Sequence, residues 1–176
     1  MPGQFNYKKA LIFGATSGIG HALAAKFVEN GIKVVVVGRR KENLDKFVQD
    51  HGKDMAEAYQ FDITQTDKAP EFANTVLKAH PDIDCVLLNS GIQRPHNFKK
   101  PETIDLKNID LEVTTNYTSY VHFTVALLPH LQKQNNETAL IFTSSGLGLV
   151  PMLVRAPNYC ATKGALHVRI SSSISP

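Results

Sequence analysis

The chain has 176 residues, of which 43% are hydrophobic and 20% charged, and it carries a formal net charge of +3 at neutral pH. This length suits a single domain with a sizeable core, and the basic residues form no long patch with interleaved aromatic side chains, so no nucleic-acid partner is indicated. No apolar run reaches the ~18 residues of a membrane span, so no membrane partner is expected. The N-terminus lacks a secretory signal, and Cys85 and Cys160 lie far apart in the sequence. We therefore expect a cytoplasmic protein with reduced thiols.

The first predicted strand, Lys9–Phe13, leads into a glycine-rich turn, and a helical pattern begins at Gly18. The turn has the spacing G-x-x-x-G-x-G, and its candidate cofactor-binding members are Gly14, Thr16, Ser17, Gly18, Ile19 and Gly20. Its first glycine can adopt a positive φ, and the later ones let backbone approach a pyrophosphate and let the helix pack closely on the strand. The positive end of the new helix favours an anion. The spacing by itself fits a structural turn equally well.

Strands and helices alternate along the rest of the chain. Four consecutive valines within 33–37 indicate a strand buried on both faces, as in a parallel sheet. Further strands are predicted at 55–61, 83–88 and 138–142. Further helices are predicted around 44–48 and 72–77, from about 106 to 128, where Pro129 ends or kinks the helix, and from Asn158. After Lys163 the helical pattern decays into the serine-rich segment 168–176.

This alternation predicts an α/β fold: one Rossmann-type, doubly wound parallel sheet with helices on both faces, formed by 1–176 as a single dinucleotide-binding domain. Ligands of such sheets lie outside the carboxyl ends of the strands. The polar clusters of this sequence follow the predicted strands, so we expect them to meet at that edge. They are 14–20, Arg39 with Arg40, Asp62, Asn89 to Gly91, and Ser144 with Ser145.

Together with Tyr159-Cys160-Ala161-Thr162-Lys163, these motifs resemble the short-chain dehydrogenase/reductase family, from about Lys8 to about Ala165. The glycine turn matches the family's T-G-x-x-x-G-x-G, with Phe13 in place of the usual threonine. Asn89-Ser90-Gly91 matches N-A-G, with serine for alanine. The family's catalytic residues correspond here to Asn116, Ser145, Tyr159 and Lys163. The resemblance implies hydride transfer between a nicotinamide cofactor and a small-molecule carbonyl or alcohol.

The chemistry follows from these residue types. Tyr159 and Lys163 are four residues apart on one helix, so they share a face. A nearby ammonium favours the phenolate, which lets Tyr159 act as general acid in reduction and general base in oxidation. By resemblance, Lys163 would also hold the nicotinamide ribose, and Ser145 would hydrogen-bond the reacting oxygen. The spacing from Ser145 to Tyr159 is one residue longer than usual, and Ser144 is the alternative.

By resemblance, Asn116 would hold a water that links Lys163 to solvent. The alternative is that Asn116 is a polar residue that kinks a long helix. Cys160, beside Tyr159, is expected to pack rather than react. The histidines show no metal-ligand spacing and are read as surface or packing residues; they include His21, His96, His122, His130 and His167.

The end of the second strand indicates which cofactor is used. An acidic residue there would favour NAD, but the chain has Gly38, followed by Arg39, Arg40 and Lys41. Glycine leaves room and arginine suits a 2′-phosphate, so NADP is preferred over NAD, with Arg39 as the best candidate. The alternative is that these cations form a solvated surface.

The adenine ring is expected beside Asp62 and Ile63. By resemblance, Asp62 would reach the exocyclic amine and Ile63 would pack near the ring. Asp62 could instead cap a helix, a role that Thr64 and Thr66 fit equally well.

The family usually continues with further strands, so the chain looks truncated after the Tyr-x-x-x-Lys helix, with its fifth strand left as an open edge. Three interpretations remain: an NADP-dependent oxidoreductase, a catalytically inert dinucleotide-binding or interaction module, and a fragment or altered splice form. The resemblance also implies a homo-oligomer, because two of the family's helices often build a dimer interface.

Overall fold

A computed structural model describes residues 5–150 and 156–173 of the chain. Its core is a five-stranded sheet in the order β3-β2-β1-β4-β5, and all four strand pairings are parallel. The strands are β1 (Lys9–Phe13), β2 (Lys33–Gly38), β3 (Ala56–Gln60), β4 (Cys85–Leu88) and β5 (Ala139–Phe142). This order confirms the predicted doubly wound fold.

Helices cover both faces of the sheet. They are α1 (Gly18–Glu29), α2 (Lys41–His51), α3 (Ala69–Ala79), α4 (Leu106–Val113), α5 (Ser119–Lys133) and α6 (Pro157–Ser173). Successive residues of a strand point to opposite faces of the sheet, and the residues on both faces are buried. Leu11 and Val35 pack with α3, α5 and α6, whereas Ile12 and Val36 pack with α1 and α2. The two apolar layers explain why β1 and β2 read as continuous apolar runs.

The register of the sheet brings the strand ends together. Phe13, the last residue of β1, pairs with Val37 of β2 and with Leu88 of β4. The chain leaves β1 toward one face and β4 toward the other, so a crevice opens between them at the carboxyl edge. The segments that follow these strands therefore border one crevice.

The predicted long helix is interrupted. A π-helical turn, Thr114–Thr118, separates α4 from α5. Of the two predicted effects of Pro129, an end or a kink, the end at 128 was wrong, because α5 continues through Pro129 to Lys133. A proline removes only one intrahelical hydrogen bond, and the flanking Leu127 and Leu131 are buried in the core, which holds the helix in place.

The last helix is longer than the sequence pattern indicated. The weak pattern predicted decay after Lys163, but α6 continues to Ser173, with Leu166 fully buried against the sheet. Tertiary packing here overrides poor local propensity. The predicted loop residue Pro151 and residues 174–176 lie outside the described part. No helix within 5–150 and 156–173 combines the length and apolarity needed to cross a membrane.

Candidate active site

A cavity of about 390 Å³ opens at the carboxyl edge of the sheet. Segments that follow all five strands line it, together with α6. The predicted site residues that line it are Gly14, Thr16, Ser17, Gly18, Ile19, Arg39, Arg40, Asp62, Ile63, Asn89, Ser90, Gly91, Tyr159 and Lys163. Ser144, the alternative serine, also lines it, whereas Gly20, Asn116 and Ser145 are not among its lining residues.

The glycine turn is shaped by close backbone approaches. Gly14 has a φ of +74°, and a Cβ on it would lie 2.8 Å from the backbone of Ser90. A Cβ on Gly20 would clash with the carbonyl oxygen of Gly14 and the side chain of Asn89. Asn89 also donates a hydrogen bond of 3.3 Å to that same oxygen. The glycines thus bring the start of α1, the end of β1 and the end of β4 into direct contact.

The two arginines after β2 lie differently at the rim of the cavity. Arg40 donates to the hydroxyls of Thr16 and Ser17, with its Nη2 at 2.6 Å from Thr16 Oγ1. The side chain of Arg39 is 61% exposed, and its Nη1 lies 4.0 Å from Asp62 Oδ2. Arg40 is therefore engaged with the glycine turn, whereas the exposed Arg39 faces Asp62 at the end of β2.

Asp62 is held in a local turn. Its Oδ1 accepts hydrogen bonds from the backbone N–H of Thr64 at 3.0 Å and from the Thr64 hydroxyl at 2.8 Å. It caps no helix, since Gln65 precedes the short 3₁₀ turn Thr66–Lys68 and forms no side-chain cap there. Oδ2 faces Arg39, so the carboxylate lies at the arginine end of the cavity.

Lys163 occupies the opposite end of the cavity. It is 2% exposed, and its Nζ donates a hydrogen bond of 2.8 Å to the carbonyl oxygen of Thr143. Burial lowers its pKa to about 8. Nζ lies 5.7 Å from the centre of the Tyr159 ring and 5.6 Å from that of Tyr120. The ammonium is thus packed between two tyrosines, and Tyr159 is the one that lines the cavity.

Tyr120 packs beneath the cavity lining at the Lys163 end of the site. It is fully buried, and its hydroxyl donates a hydrogen bond of 2.8 Å to the carbonyl oxygen of Ser90. Burial raises the pKa of Tyr120 well above its ordinary value. Helical periodicity marks Tyr120 as an apolar position of a helix, but it cannot reveal this hydrogen bond to a distant loop.

The two serines after β5 have different partners. Ser144 Oγ lies 3.0 Å from His167 Nε2 and 3.4 Å from the carbonyl oxygen of Lys163. Ser145 Oγ accepts a hydrogen bond of 3.2 Å from the N–H of Leu147 and caps the short 3₁₀ turn Gly146–Gly148. The sequence did not predict the contact of His167 with Ser144. The spacing of four residues between Lys163 and His167 was the available signal, since it puts both on one face of α6.

Asn116 lies in the π-helical turn and is fully buried. Its side chain donates to the carbonyl oxygen of Ile92 at 2.8 Å and to Thr162 Oγ1 at 3.2 Å, and accepts from the N–H of Ile92 at 2.9 Å. A Cβ on Gly91 would lie 3.6 Å from Asn116 Oδ1 and 3.7 Å from Lys163 Nζ. These two polar atoms converge on Gly91, and the predicted water between them remains a prediction.

Known proteins resemble this chain over most of its length. The sequence profile of the short chain dehydrogenase family matches residues 8–173. The uncharacterized oxidoreductase DltE of Bacillus subtilis is 35% identical over 161 residues, which are 89% of this chain and 60% of that protein. The NADP-dependent 3-hydroxy acid dehydrogenase YdfG of Salmonella typhi is 29% identical over 125 residues, which are 71% of this chain and 49% of that protein. The chain thus spans less than two thirds of the length of these relatives.

Solved structures show the same fold. An alcohol dehydrogenase from the archaeon Thermococcus sibiricus, determined in complex with 5-hydroxy-NADP, superimposes with a TM-score of 0.84 over 96% of this chain and 70% of that chain. Its sequence identity to this chain is 20%, so the likeness concerns the fold alone.

Proposed function

The chain belongs to the short-chain dehydrogenase/reductase family, and we propose that it forms one dinucleotide-binding domain of an NADP-dependent oxidoreductase that interconverts a carbonyl and an alcohol. One observation carries this proposal. A single cavity joins the glycine turn, which suits a pyrophosphate, to Tyr159 and the buried Lys163, which suit proton transfer.

The residues present fit a dinucleotide. Gly14 and Gly20 pack so closely on neighbouring backbone that a Cβ at either would clash, which leaves the N-terminus of α1 facing the cavity. Ile19 lines the cavity and is 64% exposed, an apolar side chain that a bound dinucleotide would cover. The adenosine half would lie toward Arg39 and Asp62, and the nicotinamide half toward Lys163.

Proton transfer is assigned to Tyr159. A bound nicotinamide would supply the hydride in the reductive direction. Tyr159 would give its hydroxyl proton to the carbonyl oxygen that becomes the alcohol. Lys163 stabilises the phenolate that remains, because its ammonium is held in a low-dielectric site close to the ring. In oxidation the same phenolate accepts the alcohol proton. Ser145, together with Asn116, which would hold a water, completes the proposed catalytic set.

The preference for NADP rests on charge. Gly38 lines the cavity at the end of β2, where the side chain of Thr16 packs directly against it. The next two residues, Arg39 and Arg40, present guanidinium groups at the rim of the cavity. Guanidinium groups bind phosphate with two parallel hydrogen bonds. The relative YdfG is described as NADP-dependent, which supports the same choice.

The proposal is tested with the folded 176-residue chain. Calorimetric titration should show binding of NADPH and weaker binding of NADH. A panel of aldehydes, ketones and 3-hydroxy acids should then reveal turnover through the nicotinamide absorbance. Tyr159→Phe should reduce turnover by about 10²–10⁴-fold, the range of general acid–base catalysis, and leave NADPH binding intact. Tyr7→Phe, which lies outside the cavity lining, is the matched control.

A second function is an inert dinucleotide-binding module. The observation that favours it is the position of β5, which pairs only with β4 among the described strands and is half-buried along its length. A folded chain that binds NADPH and turns over no member of the panel would support this alternative.

We also propose that the chain forms a homo-oligomer. Leu106 on α4 is 70% exposed and Val125 on α5 is 69% exposed, and a second copy could cover these apolar side chains. Analytical ultracentrifugation should show a dimer that Leu106→Glu and Val125→Glu weaken. A strictly monomeric wild-type chain would contradict this part of the proposal.

A further inference from the structure

Glu112 is a buried carboxylate that the proposed chemistry does not use. It lies on α4 and is 0% exposed. Its Oε1 accepts a hydrogen bond of 2.8 Å from the backbone N–H of Arg94. Its Oε2 lies 3.5 Å from Nε2 of His96, whose side chain is 3% exposed. Neither of these two atoms has a hydrogen-bond partner in the described part of the chain.

The pair links α4 to a loop that leaves the cavity. Gly91, Ile92 and Gln93 line the cavity, and Gly91 is the residue on which Asn116 and Lys163 converge. The loop 92–96, named here the post-β4 loop, is then hydrogen-bonded to α4 and to the π-helical turn. Its first two residues therefore border the cavity next to Gly91, at the end where Lys163 lies.

Two side chains, one helical turn apart, hold this loop. Asn116 binds both the N–H and the carbonyl group of Ile92, and Glu112 binds the N–H of Arg94. His96 adds a third contact point, because its ring reaches the free oxygen of Glu112. The distance along a helix between residues four apart, such as Glu112 and Asn116, is close to the distance between residues two apart in an extended chain, such as Ile92 and Arg94.

A buried carboxylate is costly unless donors satisfy it. Glu112 has one backbone donor on Oε1, and Nε2 of His96 lies 3.5 Å from Oε2. An apolar residue on α4 would avoid this cost but could not bind the loop. The burial of Glu112 and His96 is therefore best explained by the loop that they hold in place.

We propose that Glu112 and His96 are a positioning pair that fixes the post-β4 loop on α4 and so shapes the nicotinamide end of the cavity. The proposal rests on the proposed function for the identity of that end. The two residues touch neither substrate nor cofactor in this role. They act through the backbone of the loop, in parallel with Asn116.

The test compares a whole dinucleotide with its adenosine half. Calorimetry gives the affinities of NADPH and of 2′,5′-adenosine diphosphate for the full chain, for Glu112→Ala and for Glu112→Gln. Glu112→Ala should weaken NADPH by about 10-fold or more, the effect of leaving buried donors unpaired, and leave 2′,5′-adenosine diphosphate within about twofold. Glu112→Gln should restore NADPH binding, since its amide oxygen can accept from Arg94 and its NH₂ group can donate to Nε2 of His96 in the imidazole tautomer that carries its proton on Nδ1.

Two further variants keep the test decisive. Asp110→Ala changes an exposed carboxylate on the same helix and should leave both affinities unchanged. His96→Ala leaves the bond from Arg94 to Glu112 intact and should weaken NADPH selectively, which serves if Glu112→Ala does not fold. An equal loss of both ligands, or no loss of NADPH, would overturn the positioning role.

Failure of the proposed function would look different. If the folded wild-type chain binds neither ligand, the proposed cofactor is wrong, and hydrogen exchange decides the role of the pair. Faster exchange in 92–96 of Glu112→Ala and His96→Ala, with unchanged exchange in β1 and β2, would then support the positioning role. Unchanged exchange in 92–96 would overturn it.

Discussion

The ammonium of Lys163 donates a hydrogen bond of 2.8 Å to the carbonyl oxygen of Thr143, the residue that follows β5. This bond joins α6 to the carboxyl edge of the sheet. Burial lowers the pKa of Lys163 from its ordinary value of 10.5 to about 8. The positive charge is thus kept close to Tyr159 at a cost in stability.

That cost depends on pH with a definite sign. Between pH 8 and 10.5 the unfolded chain holds the lysine proton more tightly than the folded chain, so the free energy of unfolding rises with pH across this window. The penalty is fully present below pH 8. Urea unfolding of the wild type and of Lys163→Met should show a difference that changes by roughly 2 kcal/mol between about pH 7 and 10. Parallel curves for the two proteins would contradict the lowered pKa.

The two arginines should affect the cofactors differently. Arg39 is exposed at the end of β2, so Arg39→Ala should weaken NADPH by roughly 10-fold, the value of one charge-assisted contact, and leave NADH unchanged. Arg40 binds Thr16 and Ser17, so Arg40→Ala should loosen the glycine turn and weaken both cofactors. Calorimetric titration of each variant measures these affinities.

Lys41→Ala is the control, because Lys41 pairs with Asp45 on the surface of α2. It should leave both affinities unchanged. Selective loss of NADPH in Arg40→Ala, with no change in Arg39→Ala, would assign the 2′-phosphate to Arg40 and contradict the sequence-based choice of Arg39.

Local patterns predicted most of the fold. The four valines of β2 and the turn between β1 and α1 are signals within a few residues, and the structure has these elements at the predicted places. The spacing of Tyr159 and Lys163 likewise needs only a helix. Parallel pairing follows from the alternation of strands and helices, which explains why a doubly wound parallel sheet could also be predicted.

Long-range contacts could not be predicted in this way. The hydrogen bonds of Asn116 to Ile92, of Glu112 to Arg94 and of Tyr120 to Ser90 link residues 18 to 30 positions apart through a loop without periodicity. The π-helical turn leaves no mark on helical periodicity, and the end of α5 is set by packing around Leu131. Such features depend on tertiary structure and not on local propensity.

Gly148, in the 3₁₀ turn that follows Ser144 and Ser145, packs directly against the backbone of α6. A Cβ on it would lie 2.6 Å from the carbonyl carbon of Lys163 and 2.7 Å from the nitrogen of Gly164. Gly148→Ala should therefore displace α6 and lower the free energy of unfolding by about 1–3 kcal/mol, as overpacking does. Because Tyr159 and Lys163 move with the helix, turnover should fall by roughly 10- to 100-fold.

Gly146→Ala provides the matched control for this glycine. A Cβ on Gly146 would meet no atom within 4 Å, and its φ lies outside the left-handed region. Chemical unfolding and turnover of Gly146→Ala should match the wild type. If Gly148→Ala and Gly146→Ala had the same stability and turnover, the close approach of Gly148 to Lys163 would not matter for function.

The two serines can be separated by single substitutions. Ser145 Oγ accepts from Leu147, and its own proton has no acceptor in the described part of the chain, so it can donate to a substrate oxygen. Ser145→Ala should lower kcat by about 100-fold, the effect of removing one oxyanion donor. Ser144 is bonded to His167, so Ser144→Ala should lower the free energy of unfolding by about 1 kcal/mol and leave kcat within a few-fold of the wild type. Steady-state kinetics and urea unfolding of the two variants distinguish these roles, and a large loss of kcat in Ser144→Ala alone would assign catalysis to Ser144, which lines the cavity.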